Sequence, residues 1–567
     1  MSGEEPPEPR RGRTPAERAG ATPLDPNRLR GDAMPVVRRR RRGSAEAEEG
    51  VEELGPASGR RTRRGPTMPR LRGRRPPLAD EPLVITRRRS RRASRRWLVA
   101  AAVLGLVALV SGVLAWLLDP EVEAAQGTPH ELVAATPLLS ARRTPDLLVR
   151  PVAARNLREA VAPILAAAPA TTCLDVREGS SPLVAHNSDQ PVIPASNLKL
   201  VIAAAALDLM DPQERLVTRF ATDGTPTDGS VVRGNLYMVG GGDPLLTSDT
   251  YESRFNRGVP PLTDLESVAD RIAGTGITQV TGSIVGDASR YDDVRSAPGW
   301  PERYFTQGQV APLSALLVND GWGVDAITGA GGGPVQDPAV HAAEVMTDLL
   351  EARGVDVAGP PIAGTAPQGA PTLVEIPSLT IAELVGQLLA FSDNTTTELL
   401  VKELGVRSGQ GGSTAAGLAA VTGWMGERDL DAEGVSFEDA SGLSANDRAT
   451  CGLLSDVLVD EGPSGPVADG LARPGQPGTL DDRLLAAPLP EAVRAKTGTL
   501  LEATALSGWL RTVPGRDLAF AFVINTPGGQ VGASHAALQQ QLLQAMLDHP
   551  RTPPVDQLSP RAPVPST

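Results

Sequence analysis

The chain has 567 residues, a formal charge of −12 and two cysteines, Cys173 and Cys451. That length allows more than one domain, while two distant cysteines exclude a disulfide-rich scaffold and any C-x-x-C metal or redox pair. The charge is divided: residues 1–96 carry 26 Arg against 13 acidic residues, a net of +13, which leaves −25 for the remainder. Such a split points to two compartments or two partners.

Residues 1–96 are rich in Arg, Pro, Gly and Glu and hold too little apolar surface to fold, so they read as a disordered basic tail. Arg runs suit anionic lipid headgroups or nucleic acid, but a solvated topology determinant explains them, and nucleic acid is not expected as a partner. Residues 97–118 carry no charge and as a helix would span about 33 Å, the thickness of a bilayer core. Trp97 and Trp116 stand near its ends, where interfacial aromatics belong, and the preceding R-R-R-S-R-R-A-S-R-R places the N-terminus in the cytoplasm. A cleaved signal peptide is the competing reading; the long leader and the lack of a small-residue cleavage site after Leu118 speak against it. The expectation is a single-pass helix in the cell membrane, with everything after Asp119 outside the cytoplasm.

Residues 119–154 read as a linker. Helical spacing over Asn156–Ala168, a strand at Thr172–Val176 and an Ala-rich helix over Ser196–Met210 follow. From 219 to 377 the texture changes to short strands broken by Gly and Pro, a β-rich insertion. Helical patterning resumes at Ser378, with Thr380 and Glu383 at capping-box spacing. A hairpin is expected around P-G-R-D and a last helix over Ala533–Leu547. Segments 155–218 and 378–547 therefore form one α/β (α+β) domain, a sheet covered by helices, interrupted by 219–377; residues 548–567 are a Pro-rich disordered tail.

Three short motifs carry chemistry. The chain has three lysines, Lys199, Lys402 and Lys496, against 52 arginines. In P-A-S-N-L-K, Ser196 and Lys199 share a helix face at i and i+3. A serine needs a neighbouring base, and lysine serves if burial or a nearby cation depresses its pKa, whereas arginine does not deprotonate. The helix start adds free N–H groups for a developing oxyanion. In R-A-K-T-G-T-L, Lys496, Thr497 and Gly498 offer a cation, a hydroxyl and a place for close backbone approach, suited to a carboxylate. In S-D-N, Ser392 to Asn394 form a polar hinge between helices. Each motif also has a structural reading: a capped helix with a solvated lysine, a turn, and a helix cap. Lys402 is expected at a helix C-terminus, where a cation suits the dipole. S-x-x-K, S-D-N and K-T-G in this order form one set, known from penicillin-binding proteins and class A β-lactamases.

With that set the chain resembles the class C low-molecular-mass penicillin-binding proteins, the D-alanyl-D-alanine carboxypeptidases and endopeptidases of peptidoglycan, over residues 155 to 547. The resemblance rests on P-A-S-N-L-K-L, G-N-L-Y-M-V-G-G-G-D-P, G-S-I-V-G-D-A-S-R-Y, A-P-G-W-P, A-P-L-S-A-L-L-V-N-D-G, F-S-D-N, S-G-L-S and A-K-T-G-T-L. The 196 residues between Ser196 and Ser392 fit the family's insertion. The resemblance implies the penicillin-binding-protein/β-lactamase-like transpeptidase fold, with an antiparallel sheet. It implies Ser196 as acylated nucleophile, Lys199 as its base, Ser392 as proton relay with Lys496, and Asn394 on the substrate backbone. Lys496 and Thr497 would meet the terminal carboxylate, with Gly498 beside them and an oxyanion hole from the N–H groups of Ser196 and Thr499. The substrate would be a peptidoglycan stem peptide, and β-lactam antibiotics would trap the serine.

Two departures stand out. An acid expected after P-G-W-P has only Glu302 near it, out of register, and the arginine expected after S-G-L-S is Ala445; both suit an uncharged or amidated stem peptide. The five histidines show no ligand spacing, so neither metal nor cofactor is expected. A β-lactamase and a non-catalytic peptidoglycan-binding scaffold are the alternatives. Cys173 and Cys451 are either bonded or separately buried.

Overall fold

The structure, a computed structural model, describes residues 145–551 apart from 224–229, 253–254 and 256–257. The basic tail, the apolar segment 97–118, most of the linker and most of the Pro-rich tail lie outside the described residues, and no described helix is long and apolar enough to cross a membrane.

In chain order, helix α1 (Pro145–Ala167) leads into strands β1 (Thr172–Glu178) and β2 (Ser181–His186), then helix α2 (Leu198–Leu209) and strand β3 (Arg215–Thr222). The inserted segment contributes β4 (Leu236–Val239), α3 (Leu265–Ala273), β5 (Ile284–Asp287), α4 (Pro338–Glu351) and β6 (Ile362–Ala363). Strand β7 (Thr372–Thr380) returns to helices α5 (Ile381–Phe391), α6 (Asn394–Arg407) and α7 (Cys451–Glu461). The chain closes with strands β8 (Val493–Thr499), β9 (Ala503–Arg511) and β10 (Asp517–Asn525) and helix α8 (Ala533–Met546).

The main sheet is antiparallel in the order β8-β9-β10-β1-β2. Strand alternation sends successive side chains to opposite faces, and both faces are covered. Ala519, Ala521 and Val523 of β10 pack with α2, α5 and α7, whereas Leu518, Phe520, Phe522 and Ile524 pack with α1 and α8. Small residues on that face let α7 approach the sheet closely, and Ala203–Ala206 of α2, which packs among α5, α6 and α7, are fully buried.

The insertion leaves through β3 and returns through β7, which pair antiparallel with Thr218 opposite Ile376. A second sheet, β6-β5-β4-β3-β7, grows from this pair. Its texture is less purely β than expected: Asp264 caps α3 through the N–H groups of Glu266 and Ser267, and Asp337 caps α4 with Pro338 in its first turn. Both caps were present in the sequence, but the surrounding Gly and Pro masked them. The capping box of Thr380 and Glu383 forms, so α5 starts where β7 ends.

Cys173 of β1 and Cys451 at the start of α7 are joined as a disulfide, with Cα atoms 5.9 Å apart and both residues buried. The bond closes a loop spanning 278 residues, and constraint of so long an unfolded loop stabilises a fold by roughly 2–5 kcal/mol. Replacing both cysteines by serine is expected to lower the thermal unfolding midpoint by several degrees, read by circular dichroism under identical conditions.

Candidate active site

The nucleophile turn is built by a conformational constraint. Ala195 has φ of +47°, a left-handed value that costs an L-residue unless its surroundings enforce it. Two glycines do so. A Cβ on Gly442, in S-G-L-S, would lie 2.0 Å from Ala195 O, and one on Gly498, in K-T-G, would lie 3.0 Å from the Ser196 nitrogen. Packing against this turn thus supplies a second reason for the K-T-G glycine beside substrate approach. The turn continues as one 3₁₀ segment, Ala195–Asn197, directly into α2.

Ser196 is partly exposed on this turn, and Lys199 is fully buried below it. The Lys199 ammonium donates to Ser196 Oγ at 3.1 Å, to Asn394 Oδ1 at 2.7 Å and to the Ser441 carbonyl at 2.5 Å. Three protons meet three acceptors, one each from α2's own entry, the S-D-N hinge and the S-G-L-S loop. Burial pulls the Lys199 pKa down to about 8, against the opposing pull of Asp439, Glu398, Asp393 and Asp447. Desolvation wins because no carboxylate is in direct contact with the amine.

On the other side of Ser196, the buried Lys496 on β8 donates to Ser392 Oγ at 2.7 Å and to Thr497 O at 2.8 Å. Ser392 ends α5 in the left-handed region, φ +61°, which aims its hydroxyl back at the lysine. Asp393 caps α6 through the Thr396 N–H at 2.9 Å and accepts from Gln387 at 2.7 Å, so its role is positioning the hinge. Asn394 bridges: it accepts from Lys199 and donates to the Gln309 carbonyl at 2.6 Å. The structure therefore brings Ser196, Lys199, Ser392, Asn394 and Lys496 together.

The K-T-G-T run is presented differently from expectation. Thr497 is 2% exposed and Gly498 is buried, because both face the nucleophile turn and neighbouring strands; only Thr499 is partly exposed. Lys402 is also a correction. It lies toward the C-terminal end of α6, as expected, but its charge answers a side chain rather than the helix dipole alone: it is fully buried and paired with Asp292, with a further bond to the Val294 carbonyl at 3.1 Å. Glu302 is exposed at the start of a short helical turn, while Tyr304 is buried, donating to Leu443 O at 3.3 Å.

Sequence reasoning missed Asn197, whose amide donates to Lys496 O at 3.2 Å and ties the nucleophile turn to β8. It also missed the buried carboxylates Glu398, Asp439 and Asp447. Asp439 accepts from Trp300 Nε1, Gly442 N and Ser444 N, each at 2.7 Å, and so joins P-G-W-P to S-G-L-S. No signal in a single sequence separates these acids from surface ones.

The chain matches the D-Ala-D-Ala carboxypeptidase 3 (S13) family over residues 157–333 and 332–546. It belongs to that family. This S13 member is therefore a serine-type peptidase, acting on peptidoglycan. It is 31% identical over 357 residues to a carboxypeptidase of Mycobacterium tuberculosis, covering 60% of this chain and 72% of that one. It is 30% identical over 461 residues to carboxypeptidase DacB of Mycolicibacterium smegmatis, covering 77% and 94%. Its fold is similar to that of penicillin binding protein 4 of Haemophilus influenzae, with a TM-score of 0.58, 19% identity, and 68% and 98% of the two chains covered.

A base must be neutral to accept a proton, and Lys199 loses its proton near pH 8. Acylation by a penicillin is therefore expected to rise with pH and level off above about pH 8, followed as second-order rates from pH 6 to 10.

Proposed function

We propose that this S13 peptidase is a membrane-anchored D-Ala-D-Ala carboxypeptidase working through an acyl-serine intermediate on Ser196. The observation that carries the reading is the position of Ser196 between two buried lysines, with Lys199 bonded to its hydroxyl and Lys496 bonded to Ser392 across the site. Ser196 Oγ attacks the carbonyl carbon between the two D-alanines as its proton passes to the neutral Lys199 amine. The oxyanion takes hydrogen bonds from the N–H groups of Ser196 and Thr499. The C–N bond breaks as Ser392 hands its proton to the leaving amine and recovers one from the Lys199 ammonium, leaving Lys199 neutral, while the Lys496 ammonium stays bonded to Ser392 Oγ. Free D-alanine departs. Water then attacks the ester, giving a proton to the neutral Lys199 amine, which returns it to Ser196 Oγ as the acyl C–O bond breaks. Asn394 holds the substrate backbone, and the Lys496 ammonium with the partly exposed Thr499 faces the terminal carboxylate.

β-Lactams fit the same site as carbonyl compounds that acylate Ser196; the fold relative from Haemophilus influenzae has been seen with a β-lactam. The anchor is residues 97–118, uncharged and flanked by arginines on the cytoplasmic side. A buried disulfide supports a catalytic domain outside the cytoplasm, where such bonds persist.

Treated with penicillin, the full-length chain in detergent is expected to carry one adduct on the peptide containing Ser196, read by mass spectrometry. Lys199→Arg keeps the charge and is expected to slow acylation at least about 100-fold, the scale of losing a general base. An adduct on another residue, or a normal rate in Lys199→Arg, sinks the mechanism.

A further inference from the structure

Helix α6 begins with Asn394 of the site and, one turn later, carries Glu398, a residue with no place in the mechanism above. Glu398 is fully buried. Its Oε1 accepts the N–H groups of Ala440 at 3.0 Å and Ser441 at 2.8 Å. The carbonyl of that same Ser441 is the shortest partner of Lys199. Glu398 is thus one residue removed from the amine, and it fixes the backbone that the amine touches.

The rest of its environment speaks to its charge. Glu398 Oε2 has no hydrogen-bond partner among the described residues, and neither has the Ser441 hydroxyl, although Ser441 faces this carboxyl. An unpartnered oxygen on a buried carboxylate is costly, since desolvation is uncompensated. A proton on Oε2 removes that cost and supplies a donor for the Ser441 oxygen. The charged groups that face Glu398 are Asp439 beside the S-G-L-S loop and Lys199 from α2, with Asp447 behind Asp439. On its own helix Asp393 caps the N-terminus, and Lys402 is engaged by Asp292. No cation pairs with Glu398 among the hydrogen bonds described, and the nearest like charge, Asp439, already accepts three donors. Two acids packed together in a dry site share a proton, and the one with fewer donors takes it. Burial and the neighbouring Asp439 push the Glu398 pKa up, in agreement with the geometry.

We infer that Glu398 is a positioning residue for Lys199: held as a neutral acid, it clamps the Ala440–Ser441 backbone so that the Ser441 carbonyl orients the amine, while withholding the negative charge that would keep the lysine protonated. An ionised carboxylate there would stabilise the ammonium and blunt the base. The inference rests on Lys199 as general base.

The test compares full-length Glu398→Gln and Glu398→Ala with the parent enzyme, using penicillin acylation rates from pH 6 to 10. Gln keeps the acceptor and is neutral at every pH. It is expected to acylate within about threefold of the parent, with the rising limb unmoved. A limb displaced by about one unit to lower pH shows that the parent residue is ionised and overturns the inference. Ala removes the clamp and is expected to lose roughly 10- to 100-fold, the scale of a misplaced catalytic group; a parent-like rate also overturns it. If Ala fails to fold, the Gln profile alone still decides. Lys199→Arg in the same assay separates the two ideas: a normal rate there removes the base assignment, whatever Glu398 shows.

Discussion

A buried amine has no water to bond, so the protein must supply every acceptor. Lys199 meets this demand with Ser196, Asn394 and Ser441, drawn from three segments that are far apart in sequence. Each acceptor is itself pinned: the nucleophile turn by Gly442 and Gly498, the hinge by Asp393, the loop by Glu398 and Asp439. Removing any of these leaves a buried ammonium short of a partner, which costs more than the bond was worth when made. The amine suits the proposed role of base because that satisfaction comes from neutral oxygens. Carboxylates stand behind them, close enough to keep the site near neutrality and too far to lock the proton in place.

The insertion takes part in this arrangement. It is fastened to α6, the helix that carries Asn394 and Glu398, by two half-buried contacts. Glu403 accepts a two-pronged grip from Arg290 at 2.8 and 2.6 Å and further bonds from Arg407 at 2.7 Å and Tyr291 at 3.2 Å, while Lys402 holds Asp292. Removing Arg290 or Asp292 would leave the buried Glu403 or Lys402 charge short of its partner, so the insertion and the helix keep one geometry. Trp300 extends the brace to the S-G-L-S loop and Gln309 to Asn394.

Much of this was legible in the sequence. Periodicity located α2, α5, the closing hairpin and α8, and the order of three short motifs found the lysines and serines of the site. What stayed hidden was tertiary. Asn197 stands inside a motif that was read, yet its bond to β8 depends on a strand 299 residues away. Glu398 and Asp439 look like any surface acids because a sequence does not display burial. Lys402 was read as a helix-end cation by position alone, whereas its burial follows from Asp292, 110 residues earlier. The pairing of Cys173 with Cys451 was likewise open until β1 and α7 were placed side by side.

All three lysines of the chain are fully buried, and every remaining basic side chain outside histidine is arginine. Guanidinium groups hold their charge across any pH a cell envelope meets. The arginine charge on the surface therefore does not titrate, and the surface field responds to acidity through carboxylates and a few histidines alone. Lys199, which burial brings to lose its proton at mildly alkaline pH, is kept inside, where its titration is a chemical event rather than a change in surface charge.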